Sequence, residues 1–232
     1  MEPRQVAGKL YLVGTPIGNL EDITLRALRL LREADVIACE DTRKTRTLLV
    51  RHGISNKTVS YHEFNKRERA RELVQRMLDG ENVAVVSDAG NPGISDPAFE
   101  ITRQAIEKNI QIVPVPGASS LICAVEASGL PNHRFAFEGF LPRKKEARLK
   151  ALQSLSCEER TMAFFESPHR LLQTLEDLRT CFGNRRIAVC RELTKKFEEV
   201  VRGTLDECLS WASQRKPRGE FVLVVEGKRE EG

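Results

Sequence analysis

Long apolar stretches are missing from this 232-residue sequence: the uncharged runs at 83–86, 110–115 and 221–225 fall far short of the ~20 residues that a membrane-spanning helix needs. No C-x-x-C pair occurs and there are only four histidines, so a zinc site is not expected and no metal is assigned. The six cysteines, Cys39, Cys123, Cys157, Cys181, Cys190 and Cys208, lie mostly inside apolar patterns, where cysteine acts as a small buried hydrophobe. Reduced thiols are expected. Neither a G-x-x-x-x-G-K-[ST] string nor, after the first strand, G-x-G-x-x-G is present, which removes the two common phosphate cradles. The start, Met1-Glu2-Pro3-Arg4, carries an acid and soon gives way to a strand-like Leu10-Tyr11-Leu12-Val13. No secretory leader can be drawn, and a cytoplasmic protein is expected.

What is present is 41% hydrophobic and 30% charged residues, enough to build one large or two modest cores and incompatible with disorder or a collagen-like chain. The net charge of +4 is uninformative, but its distribution is not. Residues 43–76 hold ten Lys or Arg against three Glu, residues 143–150 five against one, and Arg185, Arg186, Arg191, Lys195 and Lys196 face a single Glu192. Such clusters suit a polyanionic partner and equally suit solvated helix faces.

Short apolar runs alternate with amphipathic helical patterns, which predicts an α/β fold with a mainly parallel N-terminal sheet. Strands are expected at 10–13, 36–39, 83–86 and 111–115. Helices are expected to follow a cap at Asp22, a cap at Thr42, from Asn65 to Asp79, after Asp96-Pro97, and to about Ala127. The rhythm pauses at Gly129-Leu130-Pro131-Asn132, which sets domains of 1–131 and 132–232. Beyond it, strands near 135–140, 162–165, 186–190, 198–202 and 221–225, with helices near 144–155, 168–181 and 205–214, are too few for strict alternation. A mixed C-terminal sheet is expected.

Four loops each follow a short apolar strand, at residues 14–19, 40–43, 87–97 and 116–120. Parallel α/β sheets open their ligand crevice at that edge. Glycines in three of these loops let backbone groups approach a ligand, and without a phosphate cradle the loops suit a nucleoside ligand such as S-adenosylmethionine.

Seven strings carry a resemblance: Gly14-Thr15-Pro16-Ile17-Gly18-Asn19-Leu20, Cys39-Glu40-Asp41-Thr42-Arg43, Ser87-Asp88-Ala89-Gly90-Asn91-Pro92-Gly93-Ile94-Ser95-Asp96-Pro97, Pro114-Val115-Pro116-Gly117-Ala118-Ser119-Ser120, Phe164-Phe165-Glu166-Ser167-Pro168-His169-Arg170, Leu193-Thr194-Lys195-Lys196-Phe197-Glu198-Glu199 and Gly219-Glu220-Phe221-Val222-Leu223-Val224-Val225-Glu226-Gly227. In this order they resemble the bacterial small-subunit ribosomal RNA methyltransferase I family, ribose 2′-O-methyltransferases of the tetrapyrrole methylase superfamily. Two departures from the family pattern are visible, Asn91 in place of Thr and Phe165 in place of Tyr.

The resemblance implies a two-domain α/β fold with the active cleft between the domains, usually in a homodimer. It also implies S-adenosylmethionine as cofactor and a cytidine ribose in the decoding region of 16S ribosomal RNA, alone or in the small subunit, as substrate. By matched position, Pro16, Ala89, Gly90, Asn91, Ile94, Ser119, Ser120, Phe165 and Leu193 form the implied cofactor pocket. In related corrin and haem methylases an acid just past the second strand is a candidate base, and Glu40 holds that position here. Methyl transfer to a hydroxyl needs alignment and a proton acceptor, for which Glu40, Asp41, His169 and Lys195 are the candidates. Two alternatives stand beside this expectation: an enzyme of the same fold acting on a tetrapyrrole or a protein, and a non-catalytic RNA-binding module.

Overall fold

The computed structural model describes residues 6–229, so Met1–Gln5, on which the reading of the N-terminus rests in part, lie outside the described residues. Two compact units divide between Ser119 and Ser120.

In the first unit, five strands form a wholly parallel sheet in the order β3-β2-β4-β1-β5. These are β1 (Lys9–Val13), β2 (Val36–Cys39), β3 (Thr58–Ser60), β4 (Val83–Val86) and β5 (Gln111–Val115). The helices α1 (Leu25–Glu33), α2 (Thr42–Arg51), α3 (Lys66–Leu78) and α4 (Ala98–Glu107) connect them. Strand β4 shows why the central strands read as unbroken apolar runs. Val83 and Val85 pack with Leu73, Val74 and Met77 of α3 and Ile101 of α4, whereas Ala84 and Val86 face Ala27, Leu30 and Leu31 of α1 and Leu49 of α2. Both faces of the sheet are covered, so alternation disappears.

The second unit starts with α5 (Ser120–Ser128), which packs on β8 (Arg186–Arg191) and β10 (Phe221–Val225). Its five-stranded sheet has the order β6-β7-β10-β8-β9 and adds β6 (Phe135–Phe140), β7 (Thr161–Glu166) and β9 (Glu199–Thr204). The β6·β7 pair is parallel and the others are antiparallel, which gives the mixed sheet expected from the sequence. Helices α6 (Lys145–Ser154), α7 (Leu171–Phe182) and α8 (Leu205–Ser213) bury Leu152, Leu175, Leu178 and Cys208 against Met162, Phe164, Val189 and Leu223. All six cysteines are free thiols.

Several local expectations need correction. Thr24, not Asp22, caps α1 by accepting from the Ala27 N–H, and residues 20–22 form a short 3-10 turn. Asp41, not Thr42, caps α2. Strand β3 is absent from the sequence reading because it is three residues long and flanked by polar positions. Arg148, counted above in a basic cluster, is 1% exposed and ion-paired with Asp177 at 2.6 Å. It is a core residue and does not join a polyanion-binding face.

Candidate functional site

Within the first unit, the loops leaving β1, β4 and β5 are stitched together at the carboxyl edge of the sheet. Thr15 and Gly90 form an isolated antiparallel bridge, with N–H to O distances of 2.9 and 3.2 Å. The Thr15 hydroxyl contacts the Ser87 and Gly90 carbonyls, and the Ser87 hydroxyl donates to the same Gly90 carbonyl at 3.2 Å. Asn91 ties in the third loop. Its Oδ1 accepts from the Gly117 N–H at 3.2 Å, and its Nδ2 donates to the Ala118 carbonyl at 3.3 Å. Gly14 and Gly117 are packed so closely that a Cβ on Gly14 would lie 2.7 Å from the Gly117 backbone, so glycine is required there for packing. Gly90 is required for a different reason. Its φ is +86°, in the left-handed region, while a Cβ there would meet nothing nearer than 3.5 Å.

This arrangement brings Pro16, Ala89, Gly90, Asn91, Ile94 and Ser119 to the carboxyl edge of one sheet. Pro16 is buried, whereas Ala89 and Ile94 are exposed. Asn91, where the sequence departs from the family pattern, uses both ends of its amide to clamp two loops.

Beside these loops, the ends of β2 and β4 are locked to each other. Cys39 and Val86 are register partners, which places Glu40 next to Asp88. A Glu40 Oε1 accepts from the Asp88 N–H at 3.2 Å, while Asp88 accepts from the Asp41 N–H at 3.0 Å and from the Lys44 ammonium at 2.7 Å. Burial pushes the Glu40 pKa up, with the negative charges of Asp88 and Asp96 adding to it against the Asp88 N–H and Lys44. Asp41 behaves oppositely. Hydrogen bonds from the Arg43 side chain and N–H hold its pKa down at about 2. A carboxylate that weakly basic and committed to a helix cap is a poor proton acceptor, and Glu40 is the better one.

The remaining expected residues belong to the second unit. Phe165 is half-buried at the end of β7 and packs edge-on against Phe137 with centroids 4.9 Å apart. His169 is exposed in the turn before α7. Ser120 opens α5. Leu193 is buried in a turn whose neighbours Glu192 and Thr194 both have positive φ, 49° and 65°. Lys195 closes that turn, bonding Glu192 at 2.9 Å and Glu220 at 2.8 Å. Burial lowers the ammonium pKa, but these two bonded carboxylates outweigh it and raise the value overall. Lys195 is therefore a cation and cannot accept a proton.

Asp88, Lys44, Thr15 and Ser87 were missed by sequence reasoning. A signal for Asp88 existed, since it stands one residue after Ser87 at the end of an apolar strand much as Glu40 follows Cys39. The adjacency of β2 and β4 that makes the resemblance meaningful is a property of the strand order, which the sequence does not spell.

Residues 9–209 match the family model described as tetrapyrrole (corrin/porphyrin) methylases. A protein from Halalkalibacterium halodurans named ribosomal RNA small subunit methyltransferase I is 50% identical over 99% of this chain and 79% of its own length. A Thermotoga maritima protein of the same name is 47% identical over 95% of this chain and 99% of its own. Among solved structures, diphthine synthase superposes with a TM-score of 0.71 at 18% identity, covering 95% of this chain and 90% of that one. The uroporphyrin-III C-methyl transferase of Thermus thermophilus, complexed with S-adenyl homocysteine, gives 0.65 at 20% identity over 94% and 97%. At such identities the structural likenesses establish the fold alone. With the family model spanning most of the chain and near-full-length relatives at half identity, the chain belongs to the tetrapyrrole methylase family, alongside the small-subunit ribosomal RNA methyltransferases I.

Proposed function

We propose that this protein is an S-adenosylmethionine-dependent methyltransferase of ribosomal RNA, which methylates the ribose 2′-oxygen of a cytidine in the decoding region of 16S ribosomal RNA. In this reading it works in the cytoplasm as a homodimer. The observation that carries the RNA substrate is the 50% identity over 99% of the chain to a protein named ribosomal RNA small subunit methyltransferase I; the cytidine and the ribose position rest on the resemblance.

The donor set fits the cofactor. The backbone is open at Gly93, which is exposed, has a φ of 92° and would have nothing within 4 Å of a Cβ, while Gly90, buried and bonded to Thr15 through both its N–H and its carbonyl, fixes the turn that presents it. The same loops carry the apolar Pro16, Ala89 and Ile94 and the compact polar Ser119, and the sequence has no phosphate loop. A nucleoside with an amino-acid tail suits such a site better than a nucleotide. From the first unit Pro16, Ala89, Gly90, Asn91, Ile94 and Ser119 would hold the cofactor; for Ser120, Phe165 and Leu193 the assignment rests on the resemblance alone.

When bound, S-adenosylmethionine supplies a methyl group made electrophilic by its sulfonium. The chain must then align a ribose hydroxyl and take its proton. Glu40 is the acceptor, held in place by the Asp88 N–H and raised in pKa toward the working range. Asp41 fixes the start of α2. Lys195 and His169, a cation and an exposed imidazole, are assigned to the RNA.

Gly90→Val tests the pocket. A β-branched residue at φ +86° is strained by roughly 1–3 kcal/mol, and relief of that strain would pull apart the Thr15·Gly90 bridge. Calorimetric titration should show S-adenosylmethionine affinity reduced at least tenfold with the circular dichroism unchanged. Unaltered affinity would remove this loop from the site. The substrate is tested by transfer of labelled methyl from S-adenosylmethionine to small-subunit ribosomal RNA from cells lacking this gene. Label appearing on a tetrapyrrole or a protein instead would overturn the RNA reading, and a chain that binds RNA but not the cofactor would be a binding module.

A further inference from the structure

Between α3 and α4 runs a groove of about 570 Å³ that the proposed chemistry does not use. It extends along α3 from Arg67 to Leu78, about 16 Å at 1.5 Å per residue. Its upper end lies at the helix N-termini. In a parallel βα sheet these adjoin the carboxyl edge, where Glu40 and Asp88 stand. The groove is rigidly framed: the buried Tyr61 hydroxyl donates to the Pro97 carbonyl at 2.7 Å and accepts from the Ile101 N–H at 3.2 Å, tying the end of β3 to the start of α4.

The charges within it are unequal in availability. Its two carboxylates, Glu100 and Glu107, are both engaged by the single guanidinium of Arg103. Among the described residues, the other three lining cations, Arg67, Arg71 and Lys108, form no ion pair within 4 Å, although Arg67 is near enough to Glu100 to help Gln104 and Arg103 lower its pKa, and all three are exposed. Arg67 and Arg71 are one helical turn apart, about 5–6 Å between Cβ atoms. A row of exposed cations without direct ion pairs, along a polar groove that leads to the proposed catalytic edge, is complementary to a chain of phosphodiesters, and a single small anion would occupy only part of it.

We propose that the α3–α4 groove is a docking track for the phosphate backbone of the substrate RNA, with Arg67, Arg71 and Lys108 as the phosphate contacts. This rests on the RNA reading above and adds the surface on the first unit by which RNA flanking the target nucleotide is held.

The test is the triple variant Arg67→Gln/Arg71→Gln/Lys108→Gln, in which exposed cations become neutral side chains of similar length. Affinity for small-subunit ribosomal RNA is measured from 50 to 300 mM salt, together with S-adenosylmethionine affinity and melting temperature. Each phosphate contact contributes about 0.7 to the slope of log K against log salt for a single strand. The variant should therefore lose about two in slope and bind RNA roughly 10–100-fold more weakly at 0.1 M salt, with cofactor binding and melting unchanged. A wild-type slope and affinity would overturn the groove assignment while leaving the RNA reading intact. Failure of the wild-type protein itself to bind or methylate RNA would instead remove the reading on which the assignment rests. Weakened binding to assembled subunits, with free RNA bound as by wild type, would mean that the groove faces a ribosomal protein, and would also overturn it.

Discussion

Arg148→Met should be among the most destabilising single substitutions in this chain. The guanidinium is 1% exposed, bonds Asp177 at 2.6 Å through Nε, and donates through Nη1 to the Arg143 carbonyl at 3.1 Å. Asp177 itself is 5% exposed. Removing the arginine leaves a carboxylate in the interior without its counter-charge, a change that costs about 3–5 kcal/mol in buried pairs. For a chain of this size that corresponds to a fall in melting temperature of roughly 6–20 °C, readable by calorimetry. The paired replacement Arg148→Met/Asp177→Leu removes both charges and should recover most of the loss, because the desolvation cost vanishes along with the attraction. If Arg148→Met melts with the wild type, the buried pair is not holding α6 to α7.

Glu40→Gln should reduce single-turnover methyl transfer by roughly 10²-fold or more, the usual contribution of a general base. The amide keeps the shape and can still accept from the Asp88 N–H, so cofactor affinity should hold. A base works only when deprotonated. Since the Glu40 pKa is raised above its ordinary value, the wild-type rate should fall as pH drops through that raised value. In Glu40→Gln that acidic limb should be missing. Asp41→Asn should chiefly lower stability through the α2 cap. If Asp41→Asn abolishes transfer while Glu40→Gln leaves it intact, the roles of the two acids are reversed.

Much of the architecture was legible because local pattern and tertiary role agree. Strands β2, β4, β5, β6 and β10 fall on the runs that mark them; β2, β4 and β10 are buried throughout and have no alternation to obscure, whereas β5 and β6 are partly exposed strands at the sheet edges. Helix caps were less legible. Asp22, Thr24, Asp41 and Thr42 are all competent cap residues within a few positions of each other, and the choice is made by tertiary constraints such as the Asp88 carboxylate receiving the Asp41 N–H. The loops proposed to hold the cofactor could be located because they follow strands. Their mutual wiring through Thr15, Ser87 and Asn91 could not, because it depends on which strands are neighbours. Arg148 was misread for a related reason. In a run of basic residues, periodicity does not say which one points inward, and only the position of Asp177 one helix away decides it.

The most direct measurement is alkaline mapping of small-subunit ribosomal RNA from cells lacking this gene, before and after incubation with the purified protein and S-adenosylmethionine. Methylation of a ribose 2′-oxygen blocks alkaline cleavage at that nucleotide, whereas methylation of a base does not. One cytidine in the decoding region should become resistant to alkali, with wild-type protein and far more slowly with Glu40→Gln. Methyl label that enters a base, or RNA that remains fully cleavable after full exposure to an enzyme that binds the cofactor, would contradict ribose methylation as its chemistry.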